Sequence, residues 1–114
     1  MQWQDVVEIA LKWPEVVEDI SYGEPSLKVR KRLLTRTRIE DETIVLLDVP
    51  FEERDMLVEA SPLTFFIEDH YRNHDIVLAR LERISPPEVE ALLERRWRNS
   101  ATKRAITKFD RGGP

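Results

Sequence analysis

Cysteine is absent from this 114-residue chain, and glycine occurs only three times. The first absence excludes disulfides, thiolate nucleophiles and metal sites built on sulfur. The second excludes collagenous and glycine-rich low-complexity architectures. No apolar run approaches the roughly 18 residues that a membrane-spanning helix needs. The first residues, MQWQDVVEIALKWPEVVED, carry acids at Asp5 and Glu8 where a secretory leader would be basic, so they do not read as a signal peptide. The expected location is the cytoplasm, which the lack of cysteine also suits. No repeat, glycine-rich phosphate loop or nucleophile–histidine–acid arrangement occurs. Catalytic residues, metal ligands and cofactors are therefore expected to be none.

What is present describes one globular domain: 41% hydrophobic and 35% charged residues at a length suited to a single core. The net charge of −4 is unevenly spread. From Arg95 to Pro114 seven basic residues stand with one acid, Asp110, which leaves 11 basic and 21 acidic residues in 1–94. Within that acidic part Lys28, Arg30, Lys31, Arg32, Arg36 and Arg38 fall in a stretch without an acid. Such asymmetry bears on partners rather than on fold.

Apolar periodicity supplies the elements. Trp3, Val6, Val7, Ala10 and Leu11 recur at helical spacing, and Pro14 limits that helix to about 3–13. Gly23 and Pro25 mark a turn. Leu27–Arg30 alternates as a strand, Lys31-Arg32 makes a hairpin connection, and Leu33–Ile39 and Thr43–Leu47 are two further strands around an acidic turn. Asp48-Val49-Pro50 opens a helix through Ala60, with acids in its first turn and Phe51, Arg54, Leu57 and Val58 on one side. Thr64–Ile67 and Ile76–Leu81 are strands joined by the polar loop Glu68–Asp75. Ser85-Pro86-Pro87-Glu88 is a capping box that starts a helix, on which Val89, Leu92, Leu93 and Trp97 form a buried stripe. The order predicts an α+β fold, α-β(3)-α-β(2)-α, an antiparallel sheet with helices packed on one face. The domain is expected over 1–99. Residues 100–114 form a basic tail, with Ala101–Phe109 continuing as helix before a disordered end at Gly112-Gly113-Pro114.

Two segments resemble a known family. Tyr22-Gly23-Glu24-Pro25-Ser26-Leu27-Lys28-Val29 is similar to the W/Y-G-x-P-x-F/L-K-V stretch of MmcQ/YjbR-like proteins. Phe65-Phe66-Ile67-Glu68-Asp69-His70-Tyr71-Arg72, followed by His74 and Val77–Leu81, is similar to their F-F-x-T-P-H-Y-R-x-x-x-x-V-L-V-R-L. The acidic helix after Asp48 and Leu92–Trp97 extend the resemblance over about 3–99. Glu68-Asp69 replaces the usual Thr-Pro, a change in the loop before His70. The resemblance implies a "double wing" sheet similar to secretion chaperones and frataxin-like domains. It implies contact with DNA, the label its members commonly carry, and no established catalytic residues.

Side chains on the two basic strands give that implication a place. Lys28 and Arg30 share one strand parity, and Arg36 and Arg38 another. If helices cover one sheet face, all four cations point from the open one, where, with Arg72, they suit the phosphates of DNA or RNA. The plain alternative is a solvated face whose cations pair with acids. His70 and His74 have an H-x3-H spacing, but a site needs further converging ligands, and a loop-fixing role for His70, Tyr71 and Arg72 accounts for them better. Tyr22, beside the turn and the basic strands, is the aromatic suited to a surface contact. Trp3 and Trp97 lie on buried stripes, whereas Trp13 has no assigned place. Two other functions remain open. One is a protein-interaction module, which an exposed apolar patch favours. The other is a small-ligand site, which requires a pocket with polar groups near His70 and Tyr71.

Overall fold

A computed structural model describes residues 1–112. Its elements run α1 (Trp3–Ala10), β1 (Val16–Ser21), β2 (Glu24–Val29), β3 (Arg32–Arg38), β4 (Thr43–Leu46), α2 (Phe51–Ala60), β5 (Phe65–Phe66), β6 (Val77–Arg80), α3 (Pro86–Ser100) and α4 (Lys103–Asp110). The fold is α+β, with one antiparallel sheet ordered β1-β2-β3-β4-β6-β5.

β1 has no counterpart among the sequence-predicted elements. It is an edge strand, and Val17, Glu18, Asp19 and Ile20 are all exposed, so no apolar alternation marks it. Two-residue turns link it to β2 and β2 to β3. Both central residues of each turn have positive φ, 54° and 76° at Tyr22 and Gly23, 51° and 76° at Arg30 and Lys31. That is the turn whose twist matches paired strands. Arg30 thus belongs to a turn and not to a strand face. Leu34 is an extra residue in β3 between the pairs Lys28↔Leu33 and Leu27↔Thr35. This bulge lets Leu34 reach the core, while Arg36 and Arg38 keep the opposite face.

The core lies between the sheet and two helices. Val6, Val7 and Ala10 of α1 and Val89, Leu92, Leu93 and Trp97 of α3 pack on Leu27, Val29, Leu34, Ile44, Leu46, Val77 and Ala79. Trp13 is fully buried and stacked on Trp97, with ring centroids 6.0 Å apart. The Trp97 indole N–H donates to the Pro14 carbonyl at 2.8 Å. Ser85 caps α3 in the expected box with Glu88.

The tail is helical, as expected, but not as a continuation of α3. α3 ends at Ser100, Ala101 is extended, and Thr102 caps a separate helix, α4. That helix is part of the fold: Ala105 is buried, and Phe109 meets Trp97 edge-on at 5.2 Å. Of the expected disordered end, Gly113 and Pro114 lie outside the described residues.

Candidate functional site

Ladder register identifies what shares the face turned away from the main core. Asp19, Ser26, Arg36, Val45, Leu78 and Phe66 are successive cross-strand neighbours, and Arg38, Thr43 and Arg80 form the next row. Val45 and Leu78 are buried here, outside the main cluster. The connection between β5 and β6, residues 67–76, folds back over this face. Arg36 donates to the Tyr71 hydroxyl at 3.0 Å, and Arg38 pairs with Glu68. The connection is anchored from its other side by the buried Arg54 of α2. Arg54 Nη1 donates to the carbonyls of Arg72 at 3.0 Å and His74 at 2.8 Å and reaches that of Tyr71 at 3.5 Å.

Together these elements enclose a cavity of about 380 Å³, open to solvent and lined by Tyr22, Glu24, Arg36, Arg38, Glu40, Glu68, His70 and Tyr71. The Arg36 guanidinium lies under the Tyr22 ring, 4.9 Å from its centroid. His70 packs edge-on against Tyr71 at 4.9 Å. His74 does not join the cavity lining; its carbonyl serves Arg54. No group of three or more potential ligands is arranged to hold a metal ion among the described residues.

Four of the five cations singled out from the sequence stand against carboxylates. Lys28 pairs with Asp19 at 3.2 Å, Arg36 approaches Glu24 at 3.9 Å, Arg38 is held between Asp41 and Glu68, and Arg72 pairs with Asp69. Burial opposes charge on Arg38, but its hydrogen bonds to Asp41 and Glu68 prevail and raise its pKa. Burial likewise pushes Asp41 upward, and hydrogen bonds from Arg38 and Thr43 overcome it and lower its pKa. The Ile20 amide and Lys28 lower that of Asp19. Arg30 is the exception, with no carboxylate in pairing range among the described residues.

Half of the chain's 18 cations are unpaired by that measure: Arg30, Lys31, Arg32, Arg80, Arg83, Lys103, Arg104, Lys108 and Arg111. Seven of them sit on the β2–β3 turn, on the first residue of β3, and on α4 or its end. Three contacts bring these elements to one end of the molecule. Val29 pairs with Val16 across the sheet. The adjacent Glu15 accepts from the Thr102 amide and hydroxyl, both at 2.9 Å. Arg32 donates to the Asn99 carbonyl at 3.0 Å. The paired sheet face and this unpaired basic pole are different surfaces. Spacing along the chain exposed both charge runs, but only the cross-strand partners separate them.

The chain matches the YjbR family over residues 11–99. It belongs to the YjbR family. The match covers both motif segments and the helix carrying Trp97, and it stops just short of α4. No curated protein and no solved structure matches the chain. In this YjbR domain the Tyr22–Val29 segment forms the first turn and β2, and Phe65–Arg72 supplies the roof of the open-face cavity. The Glu68-Asp69 substitution places a carboxylate, Glu68, on Arg38. No helix among the described residues is long and apolar enough to cross a membrane.

Proposed function

We propose that this YjbR domain contacts nucleic acid through the basic pole formed by the β2–β3 turn and α4. The observation that carries the reading is that local preference is set aside twice in favour of cations, at the same end. Left-handed turn positions favour Asn and Gly, yet Arg30 and Lys31 occupy them. The first turn of a helix favours acids, yet α4 begins with Lys103 and Arg104. Both choices cost stability, and both leave charge without a carboxylate in pairing range among the described residues. A phosphate backbone passing this end would meet the turn cations together with Lys103 and Arg104 of α4. Such contact is independent of base sequence.

Fluorescence-anisotropy titration of a short DNA duplex and a single strand, at several salt concentrations, tests the reading. Binding is expected at low salt and weakens steeply as salt rises, with a slope of about −0.9 per phosphate neutralised on duplex DNA. Arg30→Asn/Lys31→Gly, which keeps the turn geometry, lowers affinity and flattens that slope. Arg36→Lys leaves both unchanged. Absence of low-salt binding, or indifference to the turn variant, overturns the proposal.

A second reading, a protein-interaction module, has its own support. Val17, Ile20, Tyr22 and Ile39 are exposed around the first hairpin, beside the free edge of β1. Apolar side chains next to an unpaired strand edge suit an added peptide strand.

A further inference from the structure

The open-face cavity is built from opposed charges that do not fully satisfy one another. The Arg36 side chain is only 12% exposed, yet among the described residues its guanidinium makes one hydrogen bond, to Tyr71, and its nearest carboxylate oxygen is 3.9 Å away. A guanidinium carries five N–H donors, and a buried one is ordinarily well used. The same face holds further unmet polar groups. Ser26 Oγ, directly across the ladder from Arg36, and Arg38 Nε are both buried without a hydrogen-bond partner among the described residues. On the other side of the balance, Glu40 lines the cavity with no cation in pairing range among the described residues. Glu68 and Asp41 are spent on Arg38, and Glu24 accepts the Ile39 amide at 3.1 Å.

The cavity therefore has one underused fork of donors and one spare carboxylate, between the aromatic rings of Tyr22, His70 and Tyr71. A simple anion satisfies the first and is repelled by the three lining glutamates, which outnumber the two arginines. A simple cation satisfies the second and meets Arg36. A molecule carrying both charges meets both needs. We propose that the cavity binds a small zwitterion of the amino-acid type, its carboxylate on Arg36, its ammonium toward Glu40, and its remaining body against the Tyr22 and His70 rings. The volume of about 380 Å³ lies in the range of small-molecule sites. A planar guanidinium recognises a carboxylate through two parallel bonds, a geometry lysine does not reproduce. This inference does not rest on the nucleic-acid proposal, whose residues lie elsewhere.

The test is titration of the intact chain, followed by ¹H–¹⁵N chemical shifts. The probes are the standard amino acids one at a time, γ-aminobutyrate, and acetate and methylammonium as single-charge controls. At least one zwitterion is expected to shift the amides of Tyr22, Glu24, Arg36 and Tyr71 saturably. The controls should bind at least tenfold more weakly than that zwitterion. Arg36→Lys should weaken binding at least tenfold while the thermal midpoint stays near that of the parent, and Glu40→Gln should weaken the zwitterion but not acetate. The proposal is overturned if no zwitterion moves these amides at about 10 mM, a concentration that would reveal even millimolar affinity. Acetate binding as tightly as any zwitterion, or a folded Arg36→Lys protein that binds like the parent, overturns it equally.

Discussion

Arg54 shows what a single buried cation does in this fold. Its side chain is 8% exposed, and its closest carboxylate, Asp55 at 3.4 Å, is itself largely in solvent. The main partners are backbone carbonyls of the 67–76 connection, and the guanidinium also lies 4.7 Å from the Phe51 ring centroid. Replacing it with an apolar side chain of similar length strands those carbonyls. Arg54→Met should lower stability by about 2–3 kcal/mol, seen as a lower urea midpoint. It should also speed hydrogen exchange at Tyr71–His74, whereas Arg72→Met, which removes only an exposed pair with Asp69, should do neither. The sequence places Arg54 on the apolar side of α2 with Leu57 and Val58, and there it lies. Its role is not legible, because the carbonyls it serves are 17 to 20 residues away and no side-chain pattern announces a backbone acceptor.

At the scale of elements, the turns carry the next expectation. Non-glycine residues in the left-handed region are strained, and Arg30-Lys31 puts two of them side by side. Arg30→Asn/Lys31→Gly should therefore stabilise the fold by roughly 0.5–1 kcal/mol, read from urea unfolding. The same change that weakens the proposed polyanion contact would thus strengthen the protein, which separates loss of binding from loss of fold. Elements with an apolar period were legible: α1, β3, β4, β6 and α3 are all found near their predicted places. β1 was not, because an edge strand exposed on both faces needs no alternation. The break between α3 and α4 was not, because it depends on Thr102 meeting Glu15, which is 87 residues distant in the chain. The open-face site was half legible. Tyr22, Arg36, Arg38, His70 and Tyr71 had each been singled out, but their convergence depends on the fold of the 67–76 connection. Glu24, Glu40 and Glu68 are not among the site residues that the sequence singles out.

For the whole molecule, paired carboxylates set the response to acid. Asp19, Asp41 and Asp110 all titrate below their ordinary value of 3.8 in the folded chain. Asp110 is lowered by its hydrogen bonds with Arg98. The unfolded chain therefore takes up these protons at higher pH than the native one. Their stabilising contribution is complete above the ordinary carboxylate value and is lost as pH falls through the lowered folded values. The urea midpoint should drop steadily as pH is taken from about 5 toward 2, and Asp41→Asn should make that drop shallower. The two-residue turns have a bearing on time as well as on stability. β1, β2 and β3 join through the shortest loops a sheet permits, so they can pair within microseconds as a local unit. β4 pairs with β6 only by closing the long intervening segment 47–76, an entropic cost that the tight hairpins do not bear. Tyr22, Glu24, Arg36 and Arg38 belong to the first unit, whereas Glu68, His70 and Tyr71 belong to the second. The open-face cavity is a seam between an early and a late part of the folding reaction, and a molecule seated there would act as a latch on its final step.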